Sequence, residues 1–524
     1  MYKGNAKALM IALLLCSSFV VNGRTLSPYD FGLSSAKDGY EVFRVLQKTH
    51  EAAVSKGYNV TYKGIELLEI DIPADAKSIP LPREVDFCGV RMIVRNNSKP
   101  IYLFTLTSQT ERVNIDKKQL QTLDFRSVPE LKDGSCLLVI EDKTPWVDER
   151  KGHSYGAIRK DIIFVKHGRG KNNVVFPYTS DVSIPQASYC KVDTAKKMFS
   201  NLVFERTVDS KGKTFLLRCV NQYNVELRNI TINTPKSGLT EDCAISIVNC
   251  AKIVFKDITI NGTYSAKNQY GYGISLNNVW NSEFIRLKGK AEWGFFGNNN
   301  VNHAVLRDCD INRFDIHCYG RDVYCYNTVF RDLYNQFSSL FGNLVFQNCT
   351  FDHFVPLLFE STYSAYTFFD LKIKNCVFNV DANRPYLINA GDISDRSNVT
   401  REELALVSWP NVEIDGLTIN LPYGVERWFF FRVNNKDVPD IAGISTVKIK
   451  GLNINSEEDI DYIWLSNREI NTSNKLKVTV KSSNIEGVNN YVPLKSKMEE
   501  TWDDIKTWLY QLLMLLKMWL LRMI

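Results

Sequence analysis

Between Val225 and Ile485 the chain repeats one short arrangement of apolar and polar positions about ten times. The segments Arg228-Asn-Ile-Thr-Ile-Asn233 and Lys256-Asp-Ile-Thr-Ile-Asn261 are nearly identical. Related copies are Arg307-Asp-Cys-Asp-Ile-Asn312, Gln347-Asn-Cys-Thr-Phe-Asp352, Lys374-Asn-Cys-Val-Phe-Asn379, Asp415-Gly-Leu-Thr-Ile-Asn420 and Lys450-Gly-Leu-Asn-Ile-Asn455. Degenerate versions stand at Leu287-Lys-Gly289, Asn327-Thr-Val-Phe330 and Ser483-Asn-Ile485. Aligned, the copies form four apolar columns. The first runs from Val225 through Ile253, Ser282, Ala304 and Val323 to Val478, and the second from Leu227 through Phe255, Phe284 and Cys325 to Val480. The third runs from Ile230 through Cys309, Cys349 and Cys376 to Ser483, and the fourth from Ile232 through Phe330, Phe351 and Phe378 to Ile485. Columns one and two are two residues apart, as are columns three and four, which is the period of a strand with one buried face. The step from column two to column three is three residues. That odd step flips the phase and marks a bend between two short strands.

Fourth-column residues recur at intervals of 19 (Ile311 to Phe330) to 41 residues (Phe378 to Ile419). A shortest turn near twenty residues with variable additions predicts an all-β fold, a right-handed parallel β-helix wound as a single-stranded solenoid. Insertions then bulge from its corners. Asn recurs beside the bends, at Asn229, Asn233, Asn261, Asn312, Asn348, Asn375, Asn379, Asn420 and Asn455. This side chain tolerates left-handed backbone and can hydrogen-bond its equivalents on the coils above and below. Leucine-rich and helical solenoids need 3.6-period faces, and none occurs here.

The pattern divides the chain into residues 24–90 as an N-terminal cap and first coil, 91–220 as early coils with insertions, 221–490 as regular coils, and 491–524 as a helical tail. In the early coils, Cys136-Leu-Leu-Val-Ile140 and Asp161-Ile-Ile-Phe-Val165 are β-rich, and a large insertion is expected around Trp146 to Arg169. The tail is amphipathic, with Trp508, Leu512, Leu516, Trp519 and Leu520 on one side. It suits a cap over the open end of the coil or an interfacial contact with a membrane through residues 502–524. At the other end, Tyr29-Asp-Phe-Gly32 is followed by Asp38-Gly39, an amphipathic stretch from Tyr40 to Ala53, Ile72-Pro73, Ile79-Pro80 and Asp86-Phe-Cys-Gly89. Here the chain resembles the pectate-lyase-like superfamily, in which a strand of this D-F-G kind and a helix cap the first coil. The resemblance covers the cap and the repeat. It implies a bias toward polysaccharide substrates and no particular catalytic family.

Composition refines this picture in three ways. Lys3 and Lys7 precede an apolar run from Ala8 to Cys16, and Val21-Asn22-Gly23 offers small residues for cleavage, so residues 1–23 read as a secretory signal peptide. The protein is then exported to the periplasm, the cell surface or the medium. With 64 basic and 58 acidic residues the net charge is only +6 and dispersed, which argues against nucleic acid as a partner. Of twelve cysteines, Cys16 leaves with the signal. Several of the others occupy core columns, so stacked buried thiols are expected rather than a disulfide framework.

Candidate chemistry falls on the shortest coils, between Gly289 and Phe351, where no insertion would obstruct a polymer. Asp315, His317 and Tyr319 stand on alternate positions of one strand, with Arg313 and Arg321 beside them. Column spacing stacks Phe296, Asp315 and Gln336 together, and likewise Asn298, His317 and Ser338. A lyase needs a cation to neutralise a uronate carboxylate and a base for the α-proton, roles open to Arg313, Arg321, His317 and Tyr319. A hydrolase needs two carboxylates, which Asp315 could form with Glu292, Asp310, Asp322 or Glu360. Tyr272, Glu292, Trp293, Asn298, Gln336 and Glu360 are the candidates for substrate binding, together with the aromatic Phe295 and Tyr363. The N-x-D, D-D, G-H-G and R-x-K series of galacturonan hydrolases is absent, as is the Asp, Lys and Arg cluster of calcium-dependent pectate lyases. No cofactor or metal is therefore indicated, although Ca2+ is compatible with the scaffold. The alternative is a non-catalytic glycan-binding surface protein or adhesin. The oligomeric state, monomer or trimer, is open.

Overall fold

The computed structural model describes residues 24–108, 112–115, 126, 129–142, 159–172, 186–234, 243–262, 271–291, 293–332, 335–337, 340–352, 357–359, 368–381, 386–390, 411–425, 428–433, 446–456, 462–466, 477–481 and 487–489. The expected signal peptide, the helical tail, Trp146, Glu292, Ser338, Glu360 and Tyr363 lie outside these residues.

The fold is a right-handed parallel β-helix. All four columns are in register between coils: Val225 pairs with Ile253, Ile253 with Ser282, Ser282 with Ala304 and Ala304 with Val323. Ile230, Ile258, Cys309, Cys349 and Cys376 are all buried, as are Phe330, Phe351 and Phe378. Only Ser483 and Ile485, at the ends of columns three and four, fall outside the described residues. Each coil has three segments. In the coil that starts at Tyr272, a first segment ends at Asn278, a second runs to Arg286, and a third is Lys288–Lys290.

Both bends are left-handed residues. At the second bend Asn201, Asn229, Asp257, Arg286, Asp308, Asn327, Asn348 and Asn375 have φ between 49° and 64°. Gly416 and Gly451 continue this position at φ 86° and 65°. A left-handed conformation costs most residues about 1–2 kcal/mol and suits Asn, Asp and Gly better. Side chains repay part of that cost by bonding vertically. Asn229 Nδ2 donates to Asn201 Oδ1 at 2.7 Å, Asn327 Nδ2 to Asp308 Oδ1 at 2.9 Å, and Asn348 Nδ2 to Asn327 Oδ1 at 3.1 Å. A second ladder follows column four, where Asn455 donates to Asn420 at 2.8 Å and Asn420 to Asn379 at 2.6 Å.

The cysteines follow the same logic. Ten free thiols are described, of which Cys88 is exposed and the others are buried. Burial pushes the Cys309 thiol up to about 11, so it packs as a neutral apolar group.

The N-terminal end is closed by the helix Gly39–Lys56, started by Asp38 accepting from Glu41 N at 2.8 Å and stopped by left-handed Gly57. It buries Phe43, Leu46, His50 and Ala53 over the first coils. One detail departs from expectation. Pro28–Phe31 is a 3-10 turn rather than a strand, because Pro28 sits at its first position and Ser27 and Asp30 cap it reciprocally. The adjoining strand is Thr25–Leu26.

The insertion is larger than the sequence suggested. Val113–Ile115, Ser135–Asp142, Arg159–Lys166, Arg169–Gly170 and Gln186–Lys191 form a separate antiparallel sheet between the coil strand Ile101–Thr107 and the coil strand Lys197–Arg206. Phe164 of this sheet stacks on Tyr223 of the coil, with ring centres 4.1 Å apart. The sheet thereby covers part of the second segment's outer face.

Two consequences are measurable. Asn348→Ala loses a ladder bond and leaves at φ 55° a residue that tolerates left-handed backbone less well than Asn, so it should cost about 2–3 kcal/mol, whereas Asn348→Gly loses the bond without that strain and should cost only about 1 kcal/mol. Denaturant midpoints of the two variants will separate the terms. His50 is fully buried against Tyr62 Oη (2.9 Å) and Pro80 O (3.2 Å), and burial lowers its pKa to about 3. The unfolded chain binds this proton near pH 6.5 and the folded chain does not, so stability is full above pH 6.5 and falls below it, by about 1.4 kcal/mol per pH unit. Acid unfolding from pH 7 to 4 should show this limb, and His50→Gln should flatten it.

Candidate functional site

The first segments of three successive coils, Tyr272–Asn277, Gly294–Asn299 and Phe314–Cys318, lie side by side. Inward positions alternate with outward ones, so Phe296, Phe314 and Ile316 enter the core while Asp315 faces out. Two departures from regularity build the site. The first is at His317. Asn298 pairs with Ile316 and Asn299 with Cys318, leaving His317 as an extra residue bulged from the ladder. The second is at Gly297, which pairs with Asp315. A β-carbon there would lie 2.4 to 2.6 Å from the Tyr272 ring. Glycine lets that ring cross an entire coil and reach the next one.

The result is a compact cluster. Tyr272 Oη is 2.8 Å from His317 Nε2 and 3.2 Å from Asp315 Oδ2, and Trp293 Nε1 donates to it at 2.8 Å. Asp315 has no exposed side-chain surface despite facing outward, and Arg313 is 1% exposed. Arg313 Nε lies 2.5 Å from Asp315 Oδ2, a charge contact rather than an aligned hydrogen bond. Its Nη2 donates to Gln336 Oε1 at 3.0 Å, and its guanidinium stands over the Trp293 ring at 4.4 Å. Gln336 N closes the arrangement by donating to Asp315 Oδ1 at 3.0 Å. His317 keeps 16% exposure, and Tyr272 and Trp293 are also partly exposed. The cluster thus presents an aromatic and imidazole surface over a buried, mutually neutralised Arg–Asp pair.

Of the residues singled out in the sequence, Arg313, Asp315, His317, Tyr272, Trp293 and Gln336 are brought together. Tyr319 is not. It has φ 53° and no exposed surface, and it occupies the left-handed first bend above Asn249, Asn278 and Asn300. Arg321 lies past that bend, on the second segment, with Nε 3.5 Å from Asp322 Oδ2. Asp310 is on the third segment and is paired with Arg331 at 2.5 Å. Neither Asp310 nor Asp322 shares the first sheet with Asp315. The expected stacking is off by one residue, because column spacing cannot register the bulge. Asp315 pairs with Gly297 rather than Phe296, and Asn298 with Ile316 rather than His317. Glu292 and Glu360 lie outside the described residues. What sequence reasoning missed was Gly297, whose only signal is the pair of glycines in Gly294-Phe-Phe-Gly297.

Asn298 faces inward between Leu276 and Ile316, fully buried, with neither amide atom hydrogen-bonded. That placement removes it from the exposed face of the first sheet. Among the described residues no three His, Cys, Asp or Glu side chains gather as a metal-holding group, and no helix is long and apolar enough to cross a membrane.

No family model and no curated protein matches this chain. Solved structures do. The tailspike protein gp49 from Pseudomonas phage LKA1 matches with a TM-score of 0.52 at 13% identity, over 90% of this chain and 82% of that one. The tailspike gp61 of Pseudomonas phage phi297 matches with a TM-score of 0.50 at 13% identity, over 85% of this chain and 80% of that one. At such identities the likeness is one of fold.

Asn298→Leu should raise stability by about 1–3 kcal/mol, the cost of an unsatisfied buried amide, and leave the near-ultraviolet circular dichroism of the native state unchanged. Thermal unfolding and circular dichroism on the same variant test both halves.

Proposed function

We propose that this β-helix acts outside the cell on an acidic polysaccharide, binding it across the first sheet and cleaving it by proton transfer at His317 and Tyr272. The observation that carries this reading is the relay from Trp293 Nε1 to Tyr272 Oη to His317 Nε2, both steps at 2.8 Å. The Tyr272 oxygen accepts from Trp293, so its own proton points toward His317 or Asp315. The partly exposed Tyr272 and Trp293 rings offer the apolar surface on which a pyranose stacks. The export signature and the resemblance of the N-terminal cap to pectate-lyase-like proteins support the setting and the substrate class.

In this mechanism neutral His317 takes the proton α to a uronate carboxylate. The electron pair becomes a ring double bond as the glycosidic C–O bond breaks. Tyr272 gives its hydroxyl proton to the departing oxygen, and His317 then returns a proton to the phenolate along their hydrogen bond. Asp315 is a positioning residue that orients Tyr272 and balances Arg313. It is a poor hydrolytic carboxylate, because that role requires contact with the scissile bond and Asp315 has no exposed surface.

One observation favours a second reading, binding without cleavage. Arg313, the natural partner for a substrate carboxylate, is buried and already neutralised by Asp315.

Incubation with a panel of uronate polysaccharides decides between these readings. Elimination produces ultraviolet absorbance from an unsaturated uronate, and His317→Ala and Tyr272→Phe should each reduce its rate by about 10²–10⁴-fold with little change in KM. New reducing ends without that absorbance would mean hydrolysis instead. Retained binding without either product would leave the binding-only reading.

A further inference from the structure

The second segments carry another irregularity, away from His317. Asn224, Lys252, Asn281, His303 and Asp322 are left-handed, with φ of 62°, 56°, 58°, 60° and 54°, and each stands in register with the next. A left-handed residue inside a strand interrupts its alternation. Val279 and Ser282 point into the core, and the two residues between them, Trp280 and Asn281, both face outward. The next coils repeat this with Asn302 and His303, then with Arg321 and Asp322. Two adjacent columns of outward side chains result, one step per coil, about 4.8 Å apart. Backbone strain repeated over five coils for these side chains calls for a use.

Opposite these columns stands the insertion. Its turn Gly170-Lys171-Asn172 faces Trp280, Asn281, Asn302, His303 and Asp322 across a cleft of about 460 Å³. That volume falls within the range of about 300–1,000 Å³ typical of small-ligand sites. Both walls are pinned. Asn172 accepts from Phe164 N at 3.0 Å and donates to Ile162 O at 2.8 Å, which holds the turn against its own sheet. Trp280 packs beside Phe164, and Asp322 Oδ1 accepts from Asn343 N at 3.0 Å. The cleft is therefore formed before any ligand arrives.

Its chemistry is an indole wall with two amides, an imidazole and a carboxylate on one side and an ammonium group on the other. An indole matches the apolar C–H face of a pyranose, and amides and carboxylates match its neighbouring hydroxyls. Lys171, with Arg321 beside Asp322, leaves the rim with an excess of positive charge. We propose that this cleft is a second carbohydrate site, separate from the Tyr272–His317 cluster, that holds a uronate-bearing segment of the polysaccharide. The proposal rests on the reading of the chain as a carbohydrate binder and adds a site to it.

The test uses the full chain with tri-galacturonate and maltotriose, followed by calorimetry and tryptophan fluorescence. Asn281→Gly and His303→Gly remove the side chains while keeping a residue at ease with left-handed backbone, so the coil is preserved. Each should weaken one class of tri-galacturonate site at least tenfold and leave the other class as in the unmodified protein. Trp293→Ala, which removes a stacking ring of the first site, should do the reverse. Lys171→Gln should erase the preference for tri-galacturonate over maltotriose in the cleft. Binding unchanged in both glycine variants but lost in Trp293→Ala would overturn the cleft and keep the first site. Binding lost in the glycine variants but unchanged in Trp293→Ala would keep the cleft and overturn the first site. Binding of neither trisaccharide would overturn the proposal.

Discussion

Everything in this molecule depends on successive coils turning at the same place. The parallel sheets of a β-helix pair each coil only with the coils above and below it, so each coil must stop, reverse phase and restart directly above the one before. Left-handed residues at the bends do this, and the Asn, Asp and Gly positions from Asn201 to Gly451 show how consistently. Once a bend is in line, the amide of one coil meets the amide of the next, as between Asn348 and Asn327 at 3.1 Å. The ladders therefore both select register and reward it. Behind them the apolar columns stack residue on residue, so that Phe330 lies parallel to Phe351 with centres 5.4 Å apart.

A scaffold this regular makes its irregularities informative. Three of them shape the Tyr272–His317 cluster and the cleft beside the insertion. The bulge at His317 turns an imidazole out of the ladder, Gly297 lets the Tyr272 ring pass over a coil, and the extra left-handed column sets pairs of side chains facing outward beside the insertion. The bulge breaks the alternation on one coil and the left-handed column on five, while the columns on either side stay in phase. Local disorder of the pattern is tolerated because the coils above and below hold the register.

Electrostatics sort these features. Arg313 and Asp315 share a dry environment in which neither is stable without the other, and removal of one partner of such a pair commonly costs about 3–5 kcal/mol. They act as a rigid base for Tyr272, Trp293 and His317, which keep some exposure. His50 is buried in a different way, neutral and bonded to Tyr62 on the inner face of the capping helix, so that acid weakens the capped end.

The architecture was legible in the sequence because its cause is local. Column spacing, the phase flip between columns two and three, and the recurring Asn are properties of adjacent residues, and they located the core through Ile454. The same reasoning placed Asp315, His317, Arg313 and Gln336 near one another, since neighbouring coils must bring equivalent positions together. It failed by one residue at Asn298 and misjudged Tyr319, because a bulge inserts a residue that spacing alone cannot assign to one strand or the other. Tertiary structure alone decided that the Tyr272 ring spans two coils, that Asp315 is sealed from solvent, and that the sheet built from Val113–Ile115 to Gln186–Lys191 folds back to wall a cleft over Trp280. These are contacts between residues some twenty to more than a hundred positions apart, where no periodic signal links one side chain to the other.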